Sequence, residues 1–399
     1  MNHFTSKSLF LAAMVLTLTA AAWAQTETIL YSFTGGSDGG SPSAGLIFDG
    51  KGNLYGATSS GGANFDGAVF ELTPNGNGIW SEQVLHSFTG FGPSGDGEAP
   101  WGRLTFDGKG NLYGTTEAGG PGYLGTVFEL SPGSNGTWTN QVLHGFAGGS
   151  DGSLPYSGVT IDGAGNLYGT TYSGGTDGFG TVFELVAGTN GTWTEKILHT
   201  FTGEDDGSSP FAGVILDNAG RLYGMTSAGG AHDYGVVFQL IPESNGAWSQ
   251  HIVHAFAGGN DGSGSYGALA FDRSGNLYVA GVYALLQLTP TANGPWTRKN
   301  IHSFVGGNDG ASADGGLVFD KAGNLYGTTY SGGLHRGTVF ELSPSSGGWT
   351  EKILHSFTGA PDGQFPSFGA PALDTKGNLY GTAPTGGASN AGVVFEITP

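Results

Sequence analysis

The sequence predicts an all-β fold: a seven-bladed β-propeller of four-stranded antiparallel blades, its ring closed by the N-terminal strand joining the last blade. Three observations predict it. The peptide Gly-Asn-Leu-Tyr-Gly, or a close copy, occurs seven times, with its tyrosine at Tyr55, Tyr113, Tyr168, Tyr223, Tyr278, Tyr326 and Tyr380. By subtraction, successive tyrosines are 58, 55, 55, 55, 48 and 54 residues apart. A period in this range marks supersecondary units that bury their apolar faces only against neighbours. Each unit holds four short β-type runs, and the runs at the two chain ends are out of phase with one another.

The third copy shows the elements in order. Val159-Thr160-Ile161-Asp162 is strand a, and Gly163-Ala164-Gly165 turns the chain. Asn166 to Thr171 is strand b, followed by a glycine-rich loop from Tyr172 to Phe179. Gly180 to Leu185 is strand c, and a turn at 188–191 leads to strand d, Trp193 to Phe201. These runs are rich in Val, Ile, Thr, Phe, Tyr and Trp and bounded by Gly, Asn and Asp, which is the signature of successive strands. Thr28-Ile29-Leu30-Tyr31-Ser32-Phe33 matches strand d, whereas the chain ends on a strand c, Val393 to Ile397. A closed ring uses this offset, because the N-terminal strand completes the seventh blade and removes both edges.

The consensus G-N-L-Y-G-T-T, x-G-G, G-T-V-F-E-L and L-H-S-F-x-G-G-x-D-G resembles the Gloeo/Verruco tandem repeat of exported bacterial proteins, over nearly all of residues 28–398. The resemblance implies export and a propeller-like array and implies no reaction. Strand a with its Asp-x-x-Gly-Asn turn also resembles the NHL-type blade.

Lys7, the apolar run Leu9–Ala22 and Ala22-Trp23-Ala24 before Gln25 read as a secretory signal peptide. The expected organisation is a leader over 1–24 and one propeller over 25–399, secreted or periplasmic. No later stretch approaches the ~20 apolar residues of a membrane span. There is no cysteine, so neither a disulfide nor a thiolate metal site is available. The net charge is −19, with only 13 Lys plus Arg, which disfavours nucleic acid and anionic membranes.

Residues that repeat read first as scaffold. Asp49, Asp107, Asp162, Asp217, Asp272, Asp320 and Asp374 precede the a–b turns, where Asp bonds nearby backbone N–H groups. Trp80, Trp138, Trp193, Trp248, Trp296 and Trp349 open six d strands and are expected between blades. Glu71, Glu129, Glu184, Gln239, Gln287 and Glu341 stand 14 or 15 residues before His86, His144, His199, His254, His302 and His355. An antiparallel hairpin would set them opposite one another, and Glu396 opposite Tyr31. Asp38, Asp96, Asp151, Asp206, Asp261, Asp309 and Asp362, each before Gly, form Asp-Gly turns or a carboxylate ring for Ca²⁺ or sugar hydroxyls. No cofactor is expected, and Ca²⁺ on this ring is the one metal reading.

Residues that break the repeat point to the site. Ser43, Trp101, Tyr156, Phe211, Tyr266, Asp314 and Phe368 open strand a in the seven copies, and five are aromatic. They ring the channel mouth either as a platform for sugar rings or as a plug. Trp101 stands outside the d-strand series, and Arg103 replaces the small residue usual beside it. The ligand-binding set is therefore Trp101, Arg103, Tyr156, Phe211, Tyr266 and Phe368. The fifth copy has lost about seven residues and the Gly-Gly pair from its b–c connection, Ala280 to Tyr283. His232, Asp233, Tyr234, Asp314, His335 and Arg336 surround the expected notch and are the candidates for acid–base chemistry. The leading expectation is an exported, monomeric propeller that binds a polysaccharide or oligosaccharide on its loop-rich face. The alternatives are a polysaccharide lyase or glycoside hydrolase at the notch, and a structural or protein-interaction ring.

Overall fold

A computed structural model describes residues 26–398 except 265, 268, 293, 367 and 368; the leader expected over 1–24 and Phe368 lie outside the described residues. The chain forms seven four-stranded antiparallel sheets arranged as a propeller. In blade 3 the strands are a, Thr160–Ile161; b, Leu167–Thr171; c, Thr181–Ala187; and d, Trp193–Thr200. Strand a is thus shorter than its apolar run and strand c runs two residues further. Helix among the described residues is confined to five three-residue 3-10 turns, and none is long and apolar enough to cross a membrane.

Blade 7 is built from both ends of the chain. Its sheet order is Thr26–Ser32, Val393–Thr398, Leu379–Ala383, Ala372–Leu373. Thr28 pairs with Glu396 and Tyr31 with Val394, so Glu396 faces Thr28 rather than Tyr31, and the register slips between Ile29 and Tyr31.

Each blade interface is a separate apolar core. The last Phe of one d strand meets the strand-c Phe of the next blade, as in Phe146–Phe183 at 5.2 Å, Phe201–Phe238 at 5.2 Å and, across the closure, Phe33–Phe70 at 5.1 Å. The d-strand tryptophans sit edge-on to the strand-b tyrosine of the preceding blade, as expected: Trp138 to Tyr55 at 6.3 Å and Trp80 to Tyr380 at 6.2 Å. The glycine after that tyrosine is required by packing. A Cβ on Gly169 would meet the Phe183 ring at 2.5 Å. Blade 5 solves the same problem differently. There Val279 replaces the glycine and lies opposite Leu286, which replaces the phenylalanine, and both are fully buried. The pair conserves volume, which cores tolerate best.

The a–b turns form as the sequence predicts. Asp49 Oδ1 accepts from the Lys51 and Asn53 backbone N–H groups at 2.7 and 2.9 Å, and its Oδ2 from Asn53 Nδ2 at 3.0 Å. The d–a connections and b–c loops emerge on one face, here the top. They clasp each other through backbone hydrogen bonds, such as Ser153 N–H to Ser173 O at 2.8 Å and Leu154 N–H to Leu124 O at 2.9 Å.

Candidate functional site

The strand-a openings do not form a uniform ring. Trp101, Tyr156, Phe211 and Tyr266, from blades 2 to 5, make an arc on one side of the top mouth. Tyr156 and Phe211 stack at 4.5 Å with 12° between planes, and Phe211 meets Tyr266 at 4.4 Å and 67°. Two b–c loop residues complete the arc: Tyr172 lies edge-on to Tyr156 at 5.4 Å, and the Tyr156 hydroxyl donates to Glu117 Oε1 at 2.9 Å. Burial, then the Glu117 hydrogen bond, raises the Tyr156 pKa, so its proton stays in place. These six side chains line a cavity of about 390 Å³. Trp101, Tyr156 and Phe211 are half-buried and Tyr266 is 41% exposed, so the rings keep surface open to solvent as well as packing on one another.

The other side of the mouth is different. Ser43 is buried and donates to the Ser41 carbonyl at 3.2 Å. Asp314 is 8% exposed, its Oδ1 has no hydrogen-bond partner, and desolvation raises its pKa to about 6.

Arg103 lies two residues after Trp101, just ahead of strand a of its blade, Thr105–Phe106. In the aligned sequence the other repeats carry Gly45, Gly158, Gly213, Ala268, Gly316 and Ala370 at this position. Arg103 is therefore the one long side chain at this position of the repeat. It lines a cavity of about 170 Å³ beneath the arc and one of about 740 Å³ at the opposite mouth, with Arg273, Lys321 and Lys376. Although solvent reaches the side chain, the enclosing walls desolvate the guanidinium and lower its pKa.

The aspartates of the d–a connections are paired with the d-strand histidines. His86 Nε2 is 2.7 Å from Asp96, His144 is 3.0 Å from Asp151, and His199 is 3.3 Å from Asp206. His254, His302 and His355 lie 3.0, 3.1 and 3.2 Å from Asp261, Asp309 and Asp362. In the closing blade Tyr31 takes the histidine's place and donates to Asp38 at 3.2 Å. Each connection is also tied to its aspartate by backbone, as by Thr202 N–H to Asp206 at 3.0 Å. The expected Glu–His opposition does not form. A bulge between Val69 and Phe70 sets His86 opposite Val69 and Gln83 opposite Glu71. The glutamate instead accepts from the strand-b tyrosine, as from the Tyr55 hydroxyl at 2.8 Å.

The blade 5 connection is short: strand b ends at Ala280 and strand c begins at Ala284, with Tyr283 exposed at the tip. The residues flanking it are separately engaged. His232 is exposed, Asp233 accepts the Gly229 N–H at 3.0 Å, and Tyr234 lies over Gly258. His335 is exposed, and the Arg336 guanidinium donates to Gln364. Among the described residues no hydrogen bond, ion pair or ring contact joins the blade 4 trio to His335 or Arg336.

Sequence reasoning missed Tyr172 and Glu117. Both directly follow the last threonine of strand b, a position that holds Ser59, Ser227, Tyr330 and Pro384 in other blades. That variation beside an invariant pattern was the available signal.

Fold and site define a seven-bladed propeller with an aromatic arc at its top mouth. The chain belongs to the Gloeobacter/Verrucomicrobia repeat family, which matches residues 10–188, 135–287 and 281–399. Comparison with curated proteins finds no match. Among solved structures it is similar to a catalytically inactive variant of virginiamycin B lyase from Staphylococcus aureus, with quinupristin. The TM-score is 0.56 at 14% identity, covering 94% of this chain and 99% of the lyase. It is also similar to the extracellular domain of a one-component system from B. thetaiotaomicron, with TM-score 0.58 and 12% identity. That match covers 93% of this chain and 40% of the other, so the present chain spans about two fifths of it. PorZ, a surface component of the Porphyromonas gingivalis type-IX secretion system, gives TM-score 0.52 and 16% identity, covering 88% and 46%. At these identities the likeness lies in the fold.

Proposed function

We propose that this is an exported binding protein whose top mouth holds a carbohydrate against the aromatic arc. The half-buried arc itself carries the reading. Sugar rings stack their apolar faces on aromatic side chains and need acceptors for their hydroxyls. Trp101, Tyr156, Phe211 and Tyr266 supply the faces, and Glu117 supplies a fixed acceptor. A plug would be fully buried, whereas these rings keep exposed surface. Arg103, beneath the arc and without an ion-pair partner among the described residues, favours a sugar that carries an acid group. Export is supported by the leader pattern and by the extracellular domains that share the fold.

The test is calorimetric titration of the purified protein with neutral and uronate-containing oligosaccharides. Saturable binding that weakens in Trp101→Ala is expected, with acidic glycans losing most affinity in Arg103→Ala. Absence of binding across the panel contradicts the reading.

A further inference from the structure

The histidine–aspartate pairs are not all alike, and the difference lies in a third side chain from the next blade's d strand. At the seven interfaces that residue is Glu82, Asn140, Glu195, Gln250, Arg298, Glu351 and Glu27. We propose that three of these interfaces are transition-metal sites of the zinc class: His144–Asp151–Glu195, His302–Asp309–Glu351 and His355–Asp362–Glu27.

In each triad one nitrogen and two carboxylate oxygens lie within 4.8 Å of one another. The histidine Nε2 is 3.0, 3.1 and 3.2 Å from the aspartate and 3.6, 3.4 and 3.8 Å from the glutamate, in that order. A tetrahedral zinc site with bonds of ~2.0–2.1 Å has ligand atoms ~3.3 Å apart. Hydrogen bonding accounts for only part of these contacts: His144 Nε2 is hydrogen-bonded to Asp151 at 3.0 Å and His355 Nε2 to Asp362 at 3.2 Å, which leaves the glutamates. Oε1 of Glu195, Glu351 and Glu27 is shielded from solvent and has no hydrogen-bond partner. Two carboxylates and an imidazole brought together at a half-buried interface favour a positive charge between them.

The remaining interfaces act as internal controls, because each disposes of the third place without a free carboxylate beside a histidine. Asn140 Nδ2 donates to Asp96 at 2.9 Å, and Gln250 Nε2 to the Asp206 carbonyl at 2.9 Å. The Arg298 guanidinium pairs with Asp261, so in that interface the chain supplies its own cation. Glu82 feels the charge of Asp38 and its Oε1 is also without a hydrogen-bond partner, but Tyr31 stands there in place of the imidazole. A donor set of one imidazole and two carboxylates suits Zn²⁺ better than Ca²⁺, which takes six to eight oxygens.

The experiment is isothermal titration of the full exported chain, stripped with chelator and dialysed, with Zn²⁺ and separately with Ca²⁺ near neutral pH. Three Zn²⁺ per chain are expected, with no Ca²⁺ uptake at the same concentrations. Glu195→Gln and Glu351→Gln should each remove one site. Asn140→Glu should build a fourth site with His86 and Asp96, and this gain keeps the test decisive if a glutamine variant fails to fold. No zinc uptake overturns the proposal. So does a zinc count that the glutamine variants leave unchanged, as binding at exposed histidines alone would give, or a failure of Asn140→Glu to add a site.

Discussion

Thr28, in the N-terminal strand, lies directly opposite Glu396 in the last strand, and this pairing joins the two ends of the chain into one ring. Side chains reinforce the joint on the flank of blade 7 that faces blade 1. Phe33 packs on Phe70 of blade 1 at 5.1 Å, and Thr382 donates to the Ala44 carbonyl at 3.0 Å.

Removing the joint should cost more than one strand. A chain that starts after Phe33 loses the partner of Val393–Thr398 and the fully buried Phe33 ring. Blade 7 then has an open edge and the blade 1 core a cavity. We expect this variant to aggregate or to melt well below the parent, as read by size-exclusion chromatography and thermal unfolding. A monomer with unchanged melting temperature contradicts the closure.

The exchange seen in blade 5 predicts coupling elsewhere. Gly169→Val should destabilise by about 2–3 kcal/mol, because its Cβ would lie 2.5 Å from the Phe183 ring. Phe183→Leu alone should cost about 1–2 kcal/mol through the gap it leaves. The double variant copies Val279 and Leu286 and should be more stable than the sum of the single losses by about 1 kcal/mol or more. Denaturant unfolding of the four proteins measures this; simple additivity would sink the idea.

The blades were legible in the sequence because their determinants are local. The seven tyrosines give the period, the aspartates give the a–b turns, and the misplaced d strand at Thr28–Phe33 gives the closure. The strand-a openings also located the mouth. Less could be read where neighbours decide. The hairpin register sets His86 opposite Val69, two residues from Glu71, and His86 pairs with Asp96 instead. The mouth became an arc because Ser43 and Asp314 are buried on the other side. Glu117 and Tyr172 reach it from loops whose course no periodicity encodes.

Asp314 predicts a pH dependence with a definite sign. Its pKa is raised to about 6 in the folded chain, against about 3.9 for an unperturbed aspartate. The folded state therefore holds the proton more tightly. This contribution is full below about pH 3.9 and is lost as pH rises through 6. Asp314→Asn should leave stability nearly unchanged at pH 4 and raise it by about 2–3 kcal/mol at pH 8. Urea unfolding at the two pH values decides it; equal effects at both contradict the buried, uncompensated carboxyl.

The measurement that bears most directly on the account is a paired binding and unfolding titration of Trp101→Ala. Trp101 is half-buried at the edge of the arc and lines the cavity it shares with Tyr156 and Phe211. If the arc is a carbohydrate platform, the substitution weakens binding of the best oligosaccharide by about 1–3 kcal/mol while folding stability falls by less than about 1 kcal/mol. If Trp101 plugs the channel instead, unfolding shows a loss of about 3–5 kcal/mol and oligosaccharide binding is unchanged or absent in both proteins.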